Sequence, residues 1–492
     1  MPDDPLTPPP STTPAPEPPF PIPVDEANPS TPAATAPAVD LPPPPPPAPA
    51  GEPAKDTTVT KPVFKRLLPI LIGIGLLLLL ILLVTKVILP KFQKPKTPDI
   101  ITLKYWGLWE PENLMADVIA DYQKQNPNVT IQYVRQSSKD YRERLQSSLA
   151  KGDGPDIFRW HNTWLPMLKS DLSPVPDTAY TPNEFDTTFY PIVKKDSFFN
   201  GRYYGVPLMF DALALYVNED IFQADSSLKV PTTWDNLRQT AYKLTQRDSR
   251  GQPVRAGIAL GTAANVDNFS DILGLMILQN SGDPGKPDSE AVTSALKFYT
   301  LFASQDKTFS DQLPNSTYAF ATNKAVMMIA PSWRAIEVKT INPQLNFKLY
   351  AVPQLPGTNI TWATYWLEGV SKKSLFQEAA WAFVKYLSSR EVLTKMYTAA
   401  SQTRLFGEPY PRQDMASLLQ ADPFVGAILS QALSTQSWPL ASRTFDNGLN
   451  DKIIQYYHDA INSYLSGQPE ADITKNLSKG VTQVLSQYGL TK

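Results

Sequence analysis

"SKDYRERLQSSLAKGDGPDIFRW", Ser138 to Trp160, is the stretch of sequence that decides the fold. Residues spaced four apart lie on one face of a helix, and three apolar side chains follow that spacing here: Tyr141, Leu145 and Leu149. Gly152 predicts the end of this helix, because glycine adopts the left-handed conformation of a helix C-terminus at low cost. The apolar run that begins at Ile157 then predicts a buried strand.

The same alternation of strand and helix precedes this stretch. "ITLKYW", Ile101 to Trp106, predicts a strand, a stripe at helical spacing begins at Leu114, and "VTIQYV" alternates as a second strand. Three strands joined by two helices are typical of a parallel, doubly wound α/β sheet, which binds ligands outside the carboxyl ends of its strands. Aromatic and polar residues fall at those ends: Trp106, Trp109, Glu110, Trp160, His161 and Asn162.

A second region of alternating strands and helices follows Asn200. Strand-like apolar runs surround Asp211, and "VPTTWDNLRQTAYKLTQ" predicts a helix capped by Thr232 or Thr233. "KAVMMIAPSW" predicts a strand that runs into a turn at Trp333. The globular part of the chain is long enough for two lobes with separate cores.

The N-terminal part of the 492-residue chain differs in composition from the rest. Its first residues hold nearly half of the 50 prolines, and "LLPILIGIGLLLLLILLVT", Leu67 to Thr85, spans about 28 Å as a helix. Lysines flank this run on both sides, so the positive-inside rule does not decide its orientation. We expect four parts: a disordered proline-rich tail at 1–64, a transmembrane signal anchor at 65–89 with its span from Leu67 to Leu89, a linker at 90–99, and a globular domain at 100–492.

The composition and the motifs of the chain argue against several classes of function. A net charge of −2 gives no indication of nucleic-acid binding. The chain has no cysteine and two histidines, His161 and His458, so neither disulfides nor thiolate or histidine-rich metal sites are expected. We expect no catalytic centre, metal or cofactor, because no G-x-S-x-G, Walker or H-E-x-x-H motif is present. Carboxylate pairs are available, which leaves a carbohydrate-active enzyme open as a less favoured class.

The tryptophans divide into two groups. Trp234 and Trp381 lie on apolar helical faces and are expected in the core. The second group lies at strand ends or turns beside Glu110, Asn162, Arg334 or Glu368, and its members are Trp106, Trp109, Trp160, Trp333 and Trp366. Sugars present C–H patches and a rim of hydroxyls, so aromatic rings flanked by polar groups suit a saccharide, although another aromatic-lined pocket would look the same.

The order of these segments resembles family 1 of the extracellular solute-binding proteins, the receptors of sugar-importing ABC transporters that are related to maltose-binding protein. The resemblance runs from Ile101 to about Ser388 and weakens toward the C-terminus. It rests on "ITLKYWG", "NPNVTIQYV", "LAKGDGPDIFRW", "NGRYYGVPL", "ALYVNEDIF", "VPTTWDNLRQTAYKLT", "NKAVMMIAPSW" and "AAWAFVKYLSS". It implies a type II periplasmic-binding-protein-like fold, an α/β architecture of two lobes joined by a multi-segment hinge.

The resemblance also implies where the ligand is bound. Asn265 stays an alternative to Asp267, and Arg443 is a further candidate near the C-terminus. The residues that it implies for the cleft between the lobes are Trp106, Glu110, Trp160, Asn162, Asp211, Asp267, Trp333, Tyr365, Trp366 and Asp446.

The function that the resemblance implies is capture of a sugar or oligosaccharide for the permease subunits of an ABC importer, by a binding domain expected to be monomeric. It places this domain outside the cytoplasm and the proline-rich tail inside. Members of the family commonly carry a cleaved signal or a lipidated cysteine, whereas this chain carries a tail and an apolar span. A glycerol-phosphate ester as ligand, or an envelope-anchored receptor or adhesion module without transport, stay open as alternatives.

Overall fold

The alternation predicted around Ser138–Trp160 is confirmed in the computed structural model, which describes residues 77–80, 86 and 100–491. The helix spans Tyr141–Lys151 and buries its three predicted apolar side chains. Gly152 ends it with φ of 87°, and its N–H donates to the carbonyls of Ser148 and Leu149. The strand Ile157–His161 follows and is buried along its whole length.

We number the elements of residues 100–491 in chain order. The strands are β1 (Ile101–Gly107), β2 (Val129–Arg135), β3 (Ile157–His161), β4 (Leu172–Ser173), β5 (Phe198–Phe199), β6 (Arg202–Tyr203), β7 (Val206–Pro207), β8 (Leu213–Asn218), β9 (Gln246–Arg247), β10 (Pro253–Arg255), β11 (Met327–Pro331), β12 (Phe347–Tyr350), β13 (Thr361–Trp362), β14 (Trp366–Ser371) and β15 (Thr435–Gln436). The α-helices are α1 (Glu112–Gln125), α2 (Tyr141–Lys151), α3 (Leu165–Leu168), α4 (Pro182–Thr188), α5 (Pro191–Ser197), α6 (Glu219–Ala224), α7 (Trp234–Leu244), α8 (Phe269–Gln279), α9 (Glu290–Ser304), α10 (Ser316–Ala321), α11 (Arg334–Ile341), α12 (Gln377–Leu387), α13 (Arg390–Ser401), α14 (Gly426–Gln431), α15 (Leu449–Leu465) and α16 (Glu470–Gln487). Two 3-10 helices span Gln413–Leu418 and Ala432–Ser434.

Lobe 1 is built on a sheet with the strand order β2-β1-β3-β14-β4, and β7 also pairs with β14. The three strands predicted from the first region are parallel, whereas β14 returns from far along the chain and runs antiparallel to β3. The sheet is therefore mixed. Helices α1, α12 and α13 pack together beside it, and α12 contacts β14.

Lobe 2 is built on the antiparallel order β11-β8-β12. A further segment joins this sheet, since Met327 N–H donates to the carbonyl of Gly257 and Ala259 N–H donates to the carbonyl of Met327. Helix α15 packs against α8, α9 and α16, so the C-terminal helices belong to this lobe. The predicted helix cap is Thr233, whose hydroxyl accepts the N–H of Asn236.

Three chain segments cross between the lobes, as a multi-segment hinge requires. The first crossing, residues 208–212, forms backbone hydrogen bonds with two later segments of the chain. Phe210 N–H donates to Pro409 O, in the segment that precedes the third crossing, at 2.9 Å, and Thr364 N–H of the second crossing donates to Asp211 O at 3.0 Å. We call the Thr364–Asp211 bond the hinge contact. The crossings are residues 208–212, 363–365 and 419–425.

The predicted proline-rich tail, membrane span and linker lie outside the described residues, apart from Leu77–Leu80 and Lys86. Leu77–Leu80 are helical and exposed. Among the residues that the structure describes, none of the helices combines the length and apolar character needed to cross a membrane.

Candidate functional site

Two half-exposed tryptophans flank the hinge contact from opposite lobes. Trp333 belongs to lobe 2, where its N–H donates to the Asp211 carboxylate at 3.3 Å. Trp366 is the first residue of β14 in lobe 1 and follows Thr364 by two positions. Because Asp211 and Thr364 form the hinge contact, the two rings lie at the same end of their lobes. Both tryptophans are therefore near the hinge contact, which is where the cleft of a two-lobed binding protein is expected.

Trp366 forms part of an aromatic cluster on lobe 1. Its ring lies edge-on to those of Trp109, His161 and Trp164, with centroid separations of 5.6, 5.0 and 5.2 Å. Trp109 and Trp366 are each half-buried, whereas Trp164 is fully covered. We call Trp109 and Trp366 the lobe 1 aromatic surface. Trp109 was predicted at a strand end but was not among the residues implied for the cleft.

Trp106 lies on the other face of the lobe 1 sheet. It pairs in register with Phe158, while Trp366 pairs with His161, and neighbouring residues of a strand point to opposite faces. Trp106 is half-buried against the core. The structure therefore does not bring Trp106 together with the lobe 1 aromatic surface.

An ion triad that the sequence interpretation missed lies buried in lobe 1. Arg159 on β3 donates from Nε to Glu368 of β14 at 2.7 Å and from a terminal nitrogen to Glu110, which follows β1. All three side chains are at most 4% exposed. Burial raises the pKa of Glu368 despite the opposing effect of Arg159. Glu110, predicted as a ligand contact, is instead committed to Arg159, because a buried carboxylate needs a charged partner.

The structure corrects the expectation for Trp160. Its side chain is 0% exposed, and a Cβ added to Gly205 or Gly369 would overlap its indole ring. The ring therefore fills the lobe 1 core where the two glycines leave room for it. It does not form a floor on which a sugar could stack.

Asn162 and Tyr365 are buried at the hinge and share one acceptor. Asn162 Nδ2 and Tyr365 OH donate to the same carboxylate oxygen of Asp196, at 2.7 and 2.9 Å. Ser437, which follows β15, donates to the other oxygen. Burial raises the pKa of Asp196 to about 6, against these three hydrogen bonds. The two predicted ligand contacts therefore hold the hinge, through an aspartate that the sequence interpretation missed.

Asp211 holds the Trp333 turn. Its carboxylate accepts the N–H of Ala212 at 2.7 Å, the N–H and hydroxyl of Ser332 at 3.0 Å each, and the N–H of Trp333. Burial raises its pKa to about 7, because these donors offset only part of the desolvation of the charge. Asp211 was predicted to contact ligand, and its buried oxygens contact the backbone that carries Trp333 instead.

Trp333 is an exposed aromatic group of lobe 2 beside the hinge contact. It is 37% exposed, and the guanidinium groups of Arg334 and Arg443 lie 4.4 and 5.8 Å from its ring centre. Asp267 lies between the two arginines, with N–O distances of 3.7 and 3.5 Å. Although burial opposes it, Arg334 is the main group that lowers the pKa of Asp267. The predicted residues Asp267 and Trp333 are thus brought together. The candidate Arg443 joins them, whereas Asn265 donates to the backbone carbonyls of Ser310 and Leu313.

Asp446 is buried at the start of α15. Its carboxylate accepts the backbone N–H groups of Gly448, Asn450 and Asp451, at 2.8, 3.0 and 3.2 Å. This corrects its predicted role in direct ligand contact, since all of its surface is covered. A carboxylate at a helix N-terminus satisfies donors that the helix itself leaves free. No group of three or more His, Asp or Glu side chains within the described residues is arranged to hold a metal ion.

Two solved structures illustrate the likeness in fold. A cyclo/maltodextrin-binding protein in complex with maltotetraose has a TM-score of 0.65 at 16% identity, over 80% of this chain and 99% of its own. The sugar-binding protein MalE of Xanthomonas citri has a TM-score of 0.65 at 21% identity, over 78% of this chain and 98% of its own. These likenesses show a two-lobed solute-binding protein fold.

The sequence comparisons give the family. Residues 117–404, more than half of the chain, match the family of bacterial extracellular solute-binding proteins. A multiple sugar-binding protein of Streptococcus mutans is 24% identical over 340 residues, which are 64% of this chain and 78% of that protein. The chain belongs to the bacterial extracellular solute-binding proteins, the class that the resemblance predicted.

Proposed function

We propose that the protein binds a sugar or oligosaccharide between the lobe 1 aromatic surface and Trp333. The observation that carries the proposal is the pair of half-exposed aromatic surfaces, one on each lobe, on either side of one hinge contact. Aromatic rings cover the apolar faces of a pyranose, while Asp267 and Arg443 supply hydrogen-bond partners for its hydroxyls.

The relatives support a saccharide as ligand. The Streptococcus mutans relative is a multiple sugar-binding protein, and the structural neighbour described above holds maltotetraose. Glu110, Asn162 and Asp211 are buried, whereas Trp333 and the neighbouring Arg443 keep exposed surface beside the hinge contact. A ligand class with large apolar faces and many hydroxyls fits such a surface better than a small ion does.

Lobe closure is the event that the ligand drives. A ligand that touches both aromatic surfaces gains contacts in the closed form that it lacks in the open one, and it shifts the equilibrium by that difference alone. No bond is made or broken. We further propose that the globular part lies outside the cytoplasm, is anchored by the apolar span from Leu67 to Leu89, and delivers its ligand to ABC permease subunits.

Calorimetric titration of the full chain with maltotetraose and other neutral oligosaccharides tests the binding proposal. Trp333→Ala should weaken the affinity by about 5- to 150-fold, if stacking of a sugar on the ring is worth about as much as stacking of a nucleic-acid base, which contributes about 1–3 kcal/mol. Tyr242→Ala is the matched control, since Tyr242 is an exposed ring of the same lobe that lies on α7 against Arg247. Equal affinities for wild type and Trp333→Ala, or no binding of any oligosaccharide, would overturn the proposal.

A further inference from the structure

The segment between β15 and α15 is anchored to lobe 2 at one end. Ser442 N–H donates to the Asp271 carboxylate at 3.2 Å, and Asn268 Nδ2 donates to the Ser442 hydroxyl at 2.8 Å. Both partners lie at the start of α8. We call residues 442–448, together with the first two residues of α15, Leu449 and Asn450, the interlobe loop.

The other end of the interlobe loop contacts lobe 1. Arg142 on α2 donates from Nε to the backbone carbonyl of Asp446, and Asn447 Nδ2 donates to the Asp140 carboxylate at 3.0 Å. Asn450 Nδ2 donates to the hydroxyl of Thr163, in the turn after β3, at 2.8 Å. These three hydrogen bonds join the lobes at a place separate from the three hinge crossings.

The backbone of the interlobe loop holds one defined shape. Arg443, Phe445 and Asn447 have φ values of 57°, 52° and 45°, and non-glycine residues adopt this left-handed region only where surrounding contacts enforce it. Asp446 supplies those contacts by accepting the N–H groups of the first turn of α15. The same shape places Arg443 beside Trp333.

A buried hydrogen-bond path connects the lobe 1 end of this loop to the hinge. Thr163 Oγ1 lies 2.9 Å from His161 Nδ1, and His161 Nε2 lies 3.2 Å from the hydroxyl of Thr364. Thr364 forms the hinge contact with Asp211, which holds Trp333. Burial lowers the pKa of His161 to about 3, so its ring is neutral at physiological pH. The contact at Thr163 is thereby connected both to the hinge contact and to Trp333 of lobe 2.

We propose that Arg142 and Thr163 are positioning residues that hold the interlobe loop against lobe 1 and so favour, before any ligand arrives, the lobe arrangement of this structure, which we take as the binding-competent closed form. They contact the loop, and the loop carries Arg443 beside Trp333. The predicted loss of oligosaccharide affinity rests on the proposed function, whereas the predicted change in the distance between the lobes does not. Apparent affinity falls in proportion to the fraction of protein in the binding-competent form, so a tenfold loss of closed form weakens binding about tenfold.

The test measures the lobe arrangement directly in the ligand-free full chain. The chain has no cysteine, so Lys151→Cys on lobe 1 and Gln344→Cys on lobe 2, both exposed, accept a spin-label pair without competing sites. Into this background we would introduce Arg142→Met and, separately, Thr163→Val. The matched control is Arg144→Met on the same helix, because Arg144 donates to the carbonyls of Lys139 and Ser137 within lobe 1.

Asn447→Gly separates positioning from folding. It removes the hydrogen bond to Asp140, and glycine is favoured at a φ of 45°, so the melting temperature should stay equal or rise. A residue with a merely structural role would move stability and lobe distance together. Here we expect a wider lobe separation with unchanged or higher stability.

We expect Arg142→Met, Thr163→Val and Asn447→Gly to shift the interlobe distance toward longer values, and Arg144→Met to leave it unchanged. Oligosaccharide affinity should fall by about tenfold in the first three variants. Distances equal to wild type in Arg142→Met and Asn447→Gly would overturn the inference. If the distances shift while no variant, wild type included, binds a sugar, the proposed function fails and the positioning role stands.

Discussion

Trp160 lies within an apolar strand and Trp333 lies just after one, yet their rings have opposite surroundings. Trp160 is covered on every side because Gly205 and Gly369 lack the side chains that would exclude it. Trp333 comes two residues after β11, at a turn held by Asp211, and keeps 37% of its surface. Local sequence shows a tryptophan beside polar residues in both places. Which one is exposed depends on glycines and an aspartate far away in the chain.

Replacing the two rings should therefore have opposite effects on stability. Trp160→Ala opens a large cavity in the lobe 1 core and should lower the free energy of unfolding by about 3–5 kcal/mol. Trp333→Ala removes a ring that is already partly exposed to water, so it should change the free energy of unfolding by about 1 kcal/mol or less. Urea unfolding of the two variants against wild type measures the difference. If Trp160→Ala leaves the free energy of unfolding nearly unchanged, the ring does not fill the core and becomes a candidate ligand contact again.

At the scale of elements, strands β3 and β14 are joined by charge as well as by their ladder. Arg159 and Glu368 are directly opposite in register, and Glu110 reaches the same guanidinium from the loop after β1. The sequence contains a signal for this triad, because an arginine between Phe158 and Trp160 inside an apolar strand needs a buried carboxylate partner. The partner could not be read from it, since Glu110 and Glu368 are 49 and 209 residues away.

The triad predicts that loss of its arginine destabilises the protein more than loss of one of its carboxylates does. Arg159→Met leaves two buried carboxylates without a counter-charge and should destabilise lobe 1 by about 3–5 kcal/mol. Glu368→Gln should cost less, about 1–2 kcal/mol, because Arg159 keeps Glu110 and the pKa of Glu368 is already raised by burial. Chemical denaturation of both variants at neutral pH makes the comparison. Equal losses would show that the two carboxylates do not share the arginine as the structure describes.

At the scale of the whole molecule, the strand–helix alternation and the family resemblance suffice to predict two lobes and a hinge. The cleft is predicted less well. Asn162 and Asp446 were expected to contact the ligand, but the Asn162 amide donates to Asp196 and the Asp446 carboxylate accepts an N–H group from the first turn of α15. These hydrogen bonds depend on residues that only the folded chain brings together. A sequence motif alone therefore does not show which polar side chains remain free for a ligand. Trp109 was overlooked for the same reason, since its partner Trp366 is distant in sequence.

Asp196 makes the hinge sensitive to pH. Its carboxylate accepts from Asn162 and Tyr365 in lobe 1 and at the hinge, and from Ser437 beside lobe 2. Lys195 is the neighbouring charged group, and its attraction only partly offsets burial. The pKa of Asp196 is about 6 in the folded protein against an ordinary value of 3.8. The folded state therefore holds this proton more tightly than the unfolded chain does.

The contribution of protonated Asp196 to the free energy of unfolding should be complete below pH 3.8 and should be lost as pH rises through about 6. Between pH 5 and pH 8 the loss due to Asp196 amounts to about 1 kcal/mol, and Asp211, whose pKa is raised to about 7, adds a loss of the same sign. Asp196→Asn keeps a neutral side chain at all pH values, so its free energy of unfolding should fall less than that of wild type over this range. Asp153→Asn, which removes an exposed carboxylate from the turn before β3, controls for the change in net charge. Urea unfolding of wild type and of the two variants at pH 5 and pH 8 gives three slopes. A slope in Asp196→Asn equal to that of wild type would mean that the hinge carboxylate is ionised throughout this range and that its three hydrogen-bond donors, rather than a proton, compensate its burial.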